Sequence, residues 1–382
     1  MSSARIRPIF HIPRSTALPV PEFMRGIVWD GWRLQLRDDL EVRDPGEGEV
    51  KLRVLASGIC HSDLNAMEYA HLPKPIILGH EAAGVVAAIG PGVEGFSPGD
   101  AVMVSTQTPC RHCRHCAAER YGDCDATYAA SAKVPFRAGG AAVHSFANVS
   151  SFAEFTTVRA QQLFKTGDLP PHEAALIGCA VCTGIGAARN LGRVQQGDAV
   201  LVLGIGGVGV NALQGARLGG ATEIIAADIN PEKETPARHF GATRFLLLPR
   251  GLDAAGIVAH LHTAACAPID VAIECSGVGA VTEAAIQLPR RSGTCVLVGQ
   301  PQPGASAQFD IFNFTMGRRL LAGLNGDTNP FRDFPNLIQL ATTGGIDLKS
   351  QVTRTWPVEN FEAAMQALRR GQVIRAVLDY TL

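Results

Sequence analysis

The segment Gly204-Ile205-Gly206-Gly207-Val208-Gly209 sits between an apolar run, residues 199–203, and a stretch with the apolar spacing of a helix, residues 209–219. A strand, a glycine turn and a helix in that order leave few folds open. Gly204 permits the tight turn, Gly206 lets backbone approach a pyrophosphate, and Gly209 lets the helix pack closely on the strand. Phosphate charge then meets the positive end of that helix. Asp228 closes the next apolar run, EIIAAD, about 20 residues on, where a carboxylate can accept ribose hydroxyls and would repel a 2′-phosphate. The pattern points to NAD over NADP. The alternative is a plain glycine turn followed by a strand-end aspartate that caps the next helix.

The chain has two textures. From about residue 24 to 158, GEGEVKLRVLASGIC, AAGVVAAIGPGV and GDAVMVS read as short strands broken by Gly and Pro, which is β-rich, barrel-like material. From about residue 170, strands such as AVLVLG, EIIAAD, FLLL, DVAIEC and TCVLVG alternate with helical stretches. Apolar strands without alternation require a parallel sheet covered on both faces. Helices are expected over residues 172–192, near 231–241 and near 280–289. Pro236 falls inside the second of these, so a kink or a late start is expected there. In the tail, NPFRDFPNLIQLATTGG and VENFEAAMQALRRG have helical spacing and QVIRAVLDY alternates like a strand; this does not continue the doubly wound sheet. Residues 1–23 carry three arginines and four prolines but no continuous apolar core of a secretory signal, and read as a ragged extension.

Ten cysteines are placed unevenly, with Cys110, Cys113, Cys116 and Cys124 within one short stretch. Four thiolates around one ion make the closed, tetrahedral arrangement of a structural zinc. Four unrelated buried thiols or an iron–sulfur cluster are the alternatives. Arg111, His112, Arg114 and His115 could suggest a nucleic-acid finger, but they also offset the charge of a tetrathiolate zinc. Clustered thiols in a chain without a secretion signal argue for a reducing compartment. Cys60, His80 and Cys179 gain weight only as a set, since a catalytic zinc keeps three protein ligands and one open position.

Taken together, GICHSD, GHEAAGVVAAIG, the four-cysteine lobe, GCAVCTGIGAA, GIGGVG and GQVIRAVL give a chain that resembles the zinc-dependent medium-chain alcohol dehydrogenases over roughly residues 24–382. This family is the standard example of a catalytic zinc bound by two cysteines and a histidine. The resemblance implies a GroES-like catalytic domain over residues 1–180, with the structural zinc lobe at 108–126. It also implies a Rossmann domain over 181–324, and a return to the catalytic domain over 325–382. It implies that Cys60, His80 and Cys179 hold the catalytic zinc, that Glu81 is a neighbouring carboxylate and that Asp63 orients His80 from behind. Thr183 and Val298 fall where the family positions the nicotinamide, His61 and Arg375 where it meets the pyrophosphate, and Lys233 where it meets the adenosine ribose with Asp228. Ser62 would accept the alcohol proton. Where many members finish this relay with a histidine, this chain has Asn65, which cannot accept a proton near neutral pH. Thr106, Phe146 and Ala147 would line the substrate pocket. Two of them are small, leaving room for a bulky primary or aromatic alcohol.

The expected activity is therefore NAD-linked, reversible oxidation of an alcohol to an aldehyde or ketone, with two zinc ions per subunit in a homodimer or homotetramer. Oxidation of the formaldehyde adduct of glutathione or mycothiol is a rival within enzymes. A zinc-stabilised nucleotide-binding protein without chemistry is the rival of another class. With 34 Lys+Arg against 35 Asp+Glu, net −1, no positive field exists to hold nucleic acid or an anionic membrane. The longest near-apolar stretch, residues 199–210, is well short of the ~20 residues a membrane span needs. A soluble, cytoplasmic chain with a small-molecule substrate is expected.

Overall fold

The computed structural model describes residues 19–129, 134–264 and 268–382. Most of the N-terminal extension, and Cys266, lie outside these. The predicted parallel sheet is present with six strands, in the order Arg244–Leu247, Glu223–Asp228, Ala199–Leu203, Ile269–Glu274, Pro289–Leu297 and Arg319–Ala322. The strand Ala199–Leu203 is buried at every position, as a strand covered on both faces must be. The order in which strands are added reverses between Ala199–Leu203 and Ile269–Glu274, all strands staying parallel. The crevice at such a switch point is where an open α/β sheet binds its ligand. Here it lies between Gly204 and Ser276, whose backbone nitrogen is 3.0 Å from where a Gly204 Cβ would stand.

The glycine turn behaves as its sequence requires. Gly204 has φ +90°, and the helix Gly207–Gly219 starts directly after Gly206. A Cβ on Gly209 would lie 2.0 Å from the Gly204 carbonyl oxygen, whereas one on Gly206 would meet nothing within 4 Å. The third glycine serves packing; the second keeps the crevice floor open.

The β-rich part forms a closed barrel of Met24–Trp29, Leu34–Val42, Phe136–Ala138, Ala141–Ser145 and Ile76–Ile77 beside a seven-stranded sheet. That sheet takes strands from both ends of the chain. Glu49–Ile59 pairs with Glu81–Ile89 on one side and with Arg375–Asp379 on the other, setting Gly58 opposite Glu81 and Ile59 opposite Ala376. This register gathers Cys60, Glu81 and Arg375 at one sheet end. The two tail helices are Pro330–Thr342 and Phe361–Arg369.

One helix differs from expectation, and the Pro236 helix keeps to it. The continuous helix over 172–192 is broken at Cys179 (φ −137°, ψ −81°), between a 3₁₀ turn, Ala175–Gly178, and the helix Ala180–Gly186. Gly178 presses on the sheet so closely that a Cβ would be 2.1 Å from the Val104 carbonyl oxygen, and the chain turns there. The helix near 231–241 starts late, as a 3₁₀ turn Pro231–Lys233 followed by Glu234–His239. Pro236 thus occupies a first turn, where no N–H is needed. Among the described residues no single helix is long and apolar enough to cross a membrane. One pair, Pro171–Gly178 with Ala180–Leu191, passes on length and composition together but is bent by 51° and is largely buried between the sheets.

Gly209→Ala is expected to destabilise the protein by about 1–3 kcal/mol, the usual range for overpacking, and Gly206→Ala to leave the thermal midpoint within about a degree of wild type, since nothing stands in its way. Equal midpoints for the two variants in a thermal melt would contradict the assignment of packing to Gly209.

Candidate active site

The Asp63 carboxylate joins the segments that leave and enter two paired strands, Glu49–Ile59 and Glu81–Ile89. It stands in the first turn of the short helix His61–Ala66 and turns back, so that Oδ2 accepts the Cys60 backbone N–H at 2.9 Å. Its Oδ1 accepts the Gly79 N–H at 3.0 Å and the His80 Nδ1–H at 2.8 Å. Gly79 has φ +87°, and a Cβ there would be 2.5 Å from the Phe152 ring, so only glycine lets the chain pass under Asp63. With Nδ1–H donated, His80 turns Nε2 toward Cys179 Sγ, 3.3 Å away. Cys60, His80, Glu81 and Cys179 each offer a ligand atom, all within 4.8 Å of one another.

Crowded in a buried space, these donors shift one another's protonation. Burial alone would lower the His80 pKa, but the charge and hydrogen bond of Asp63 hold it well above the ordinary imidazole value. The hydrogen bond from Cys179 draws the Cys60 thiol well below its usual range, and the same contact pushes Cys179 up. Two sulfurs and an imidazole nitrogen, oriented by a buried carboxylate, fit zinc with one position open.

Glu81 and Arg375 form a buried ion pair, 0% and 2% exposed at their side chains. Burial raises the Glu81 pKa and Arg375 opposes it; burial would lower that of Arg375, but the Glu81 charge more than offsets this. Gly58 makes the space, since a Cβ there would be 2.1 Å from Glu81 Oε2. Arg375 therefore gives its guanidinium to Glu81, while its side chain packs on Gly207 at the start of the dinucleotide helix.

One cavity of about 1100 Å³ runs from these donors to the sheet crevice. Ser62 lies at the donor end, its Oγ 3.3 Å from Cys60 Sγ. His61, Thr183, Val298 and Arg375 line the middle, with Gly204 and Gly206, and Asp228 and Lys233 lie at the far end. His61 stands exposed on the wall, yet desolvation in the crevice lowers its pKa, and Arg375 and Lys233 push the same way. The Asp228 carboxylate accepts N–H groups of Ile205 at 2.7 Å and Asn230 at 2.9 Å. Lys233 donates to the Val373 carbonyl at 3.2 Å, and burial lowers its pKa against the pull of Asp228. Asp63 and Glu81 stand behind the wall, and Gly209 is buried in the helix packing.

Thr106, Phe146 and Ala147 line the donor end. The Phe146 ring meets His80 edge-on at 5.8 Å. Two further residues were not evident from sequence. Asn325 donates Nδ2 to Thr106 Oγ1 at 2.9 Å, and Asn148 donates to the Thr106 and Thr127 carbonyls at 3.0 and 2.8 Å. Asn325 is separated from Thr106 by 219 positions, and no local pattern announces such a contact.

The four-cysteine lobe is a separate site. Cys110, Cys113, Cys116 and Cys124 have their sulfurs within 4.8 Å of one another. Backbone N–H groups of Cys110, Cys113 and Cys116 point at the sulfurs of Cys124, Cys110 and Cys113, at 3.3 to 3.4 Å. Such bonds draw Cys110 down to about 6, whereas burial pushes Cys116 up to about 12. Arg111 stacks on the Phe331 ring, 4.2 Å from its centroid, so it fastens the lobe to the helix Pro330–Thr342.

Comparisons with known proteins cover nearly the whole chain. The family model for the alcohol dehydrogenase GroES-like domain matches residues 46–171, and that for zinc-binding dehydrogenases matches 207–343. Alcohol dehydrogenase-like 6 of Arabidopsis thaliana is 32% identical over 92% of this chain and 94% of its own. The crystal structure of benzyl alcohol dehydrogenase from Acinetobacter calcoaceticus superposes with a TM-score of 0.85 at 27% identity, covering 94% of this chain and 99% of that one. Acetophenone reductase from Geotrichum candidum, solved in complex with NAD, gives 0.76 at 25% identity, covering 94% and 98%.

Asp63→Asn is expected to weaken metal binding by about 10–100-fold, the usual cost of losing a carboxylate behind a ligand histidine. Competition with a chromophoric chelator measures this, and an unchanged affinity would refute the orienting role.

Proposed function

The chain belongs to the zinc-dependent medium-chain alcohol dehydrogenase family, an alcohol–aldehyde oxidoreductase using zinc and a nicotinamide dinucleotide, and from that premise we propose that it oxidises a bulky primary or aromatic alcohol with NAD. The observation that carries the reading is the convergence of Cys60, His80 and Cys179 at one end of the cavity whose floor is the Gly204–Gly206 turn. When bound, zinc acidifies the alcohol hydroxyl as a Lewis acid and NAD accepts the hydride. Cys60, His80 and Cys179 bind the ion. Ser62 Oγ, beside Cys60 on the cavity wall, takes the alcohol proton, and water carries it onward because Asn65 has no basic site near neutral pH. Thr183 and Val298 bracket the nicotinamide, Lys233 and Arg375 supply positive charge along the dinucleotide, and His61, its pKa lowered in the crevice, offers a neutral imidazole there. The lobe of Cys110, Cys113, Cys116 and Cys124 holds a second, structural zinc.

Asp228 supports NAD over NADP. Each carboxylate oxygen accepts one backbone N–H and keeps a lone pair for a ribose hydroxyl, while its charge repels a 2′-phosphate. Phe146, Ala147 and Thr106 support an aromatic substrate face beside His80. The glutathione-adduct alternative needs a cation at this end for the thiol's carboxylates. Among the described lining residues, Lys233, Arg250, Arg369 and Arg370 belong to the dinucleotide end, and Arg375 is paired with Glu81. Free, clustered thiols support the reducing cytoplasm. A homodimer is supported by the open edge strand Arg319–Ala322, with Leu321, Ile311 and Phe312 exposed close by in the chain, since an unpaired apolar edge invites pairing with a second copy.

An alcohol panel followed by NADH absorbance is expected to give kcat/KM for benzyl alcohol at least 10-fold above ethanol, with NAD preferred over NADP and the preference reduced in Asp228→Ala. Preference for ethanol overturns the substrate reading, and formaldehyde oxidation that requires added glutathione or mycothiol favours the rival. Light scattering is expected to give a dimer that Leu321→Arg dissociates; a monomeric wild type contradicts the edge pairing.

A further inference from the structure

The loop after the strand Pro289–Leu297 reads Gly299-Gln300-Pro301-Gln302-Pro303. Each glutamine precedes a proline, which confines it to extended backbone, and no helix or turn interrupts Gln300–Gln302. In extended chain, residues two apart face the same side. Both glutamines reach across the cavity mouth to the other domain. Gln300 donates Nε2 to Tyr69 Oη at 2.9 Å, and Gln302 donates Nε2 to Asn65 Oδ1 at 3.2 Å. Asn65 lies in the last turn of the helix that begins beside Cys60 and ends at Ala66, and the chain keeps turning through Glu68 N–H to Asn65 carbonyl at 3.0 Å and Tyr69 N–H to Ala66 carbonyl at 3.2 Å. Two extended residues advance ~6.6 Å, and the chain from Asn65 to Tyr69 turns through i→i+3 bonds that advance ~2 Å per residue, so the two pairs of side chains can face each other and both rungs are made.

We propose that Asn65 and Tyr69, with Gln302 and Gln300, are positioning residues that form a two-rung clasp holding the Val298 loop against the helix that carries Ser62. This rests on the reading of the cavity as a dinucleotide and alcohol site, and it assigns Asn65 a task other than proton transfer. Asn65 is only 5% exposed, and its carbonyl oxygen is engaged by Gln302. The residue that departs from the relay pattern is the one the opposite domain grips. The clasp fixes the distance between the nicotinamide-facing loop and the proton-accepting serine, which sets how well dinucleotide and alcohol align.

The test uses the full chain. Asn65→Ala, Gln302→Ala and their combination are compared by hydrogen exchange of residues 297–309 in ligand-free protein and by NADH affinity from fluorescence titration. Gln300→Ala with Tyr69→Phe does the same for the second rung. Each single variant is expected to speed exchange in the loop and to raise the NADH dissociation constant about 3–10-fold, and each pair to be no worse than its worse single. Gln302→Glu, which can accept from the Asn65 amide, is expected to restore most of the affinity. The pH profile of kcat is expected to keep its wild-type shape in all. Unchanged exchange and affinity, additive losses, or a profile altered in Asn65→Ala but not in Gln302→Ala would each overturn the clasp. A wild-type chain that does not bind NADH overturns the dinucleotide reading, while the exchange data still decide whether the rungs hold the loop.

Discussion

The carboxylate of Asp63 is the contact on which the rest of the site depends. It is fully buried and meets three donors, the N–H groups of Cys60 and Gly79 and the ring of His80. A buried charge is tolerable only when its hydrogen bonds are made, and here those bonds tie the two ligand-bearing segments to each other. The imidazole is thereby fixed in one tautomer and aimed before any metal arrives. Sheet register does the coarse placement, setting Gly58 opposite Glu81; the carboxylate sets the last ångström.

Much of this arrangement was legible in the sequence because its signals are local. GIGGVG after an apolar strand, four cysteines close together, and GICHSD with GHE each state a geometry within a few residues. The placement of Cys179 beside His80 was less direct: its neighbours have helical spacing, and the break there follows from Gly178 meeting Val104, a contact between positions far apart. Arg375 was placed by resemblance at the pyrophosphate, and it lines the cavity beside Gly207; its pairing with Glu81 was not foreseen. That pairing comes from two strands flanking a third, which no spacing along the chain encodes. Asn148, Asn325 and Gln302 were invisible for the same reason, since an amide has no characteristic neighbours until the fold supplies them.

Two buried charges with different fates show how the site divides its work. Asp63 is fully hydrogen-bonded and acts through His80. Among the described residues Glu81 has only Arg375 as its ion-pair partner, so removing either member leaves an unpaired ion in the interior, a change that costs about 3–5 kcal/mol in other proteins. The pair also sits between the donor cluster and Gly207, so the start of the dinucleotide helix and the metal end share one electrostatic anchor.

The break at Cys179 has a mechanical counterpart. The helix that follows it lies so close to the dinucleotide helix that a Cβ on Gly184 would be 2.3 Å from the Val208 carbonyl oxygen, and one on Gly215 would be 2.9 Å from Ile185 Cα. Two rods in such contact cannot slide independently. A shift of Cys179 would therefore press on the turn that opens the neighbouring helix, and any coupling carried by this contact would be reciprocal. Either glycine is thus a place where added bulk would move Cys179 and the glycine turn together.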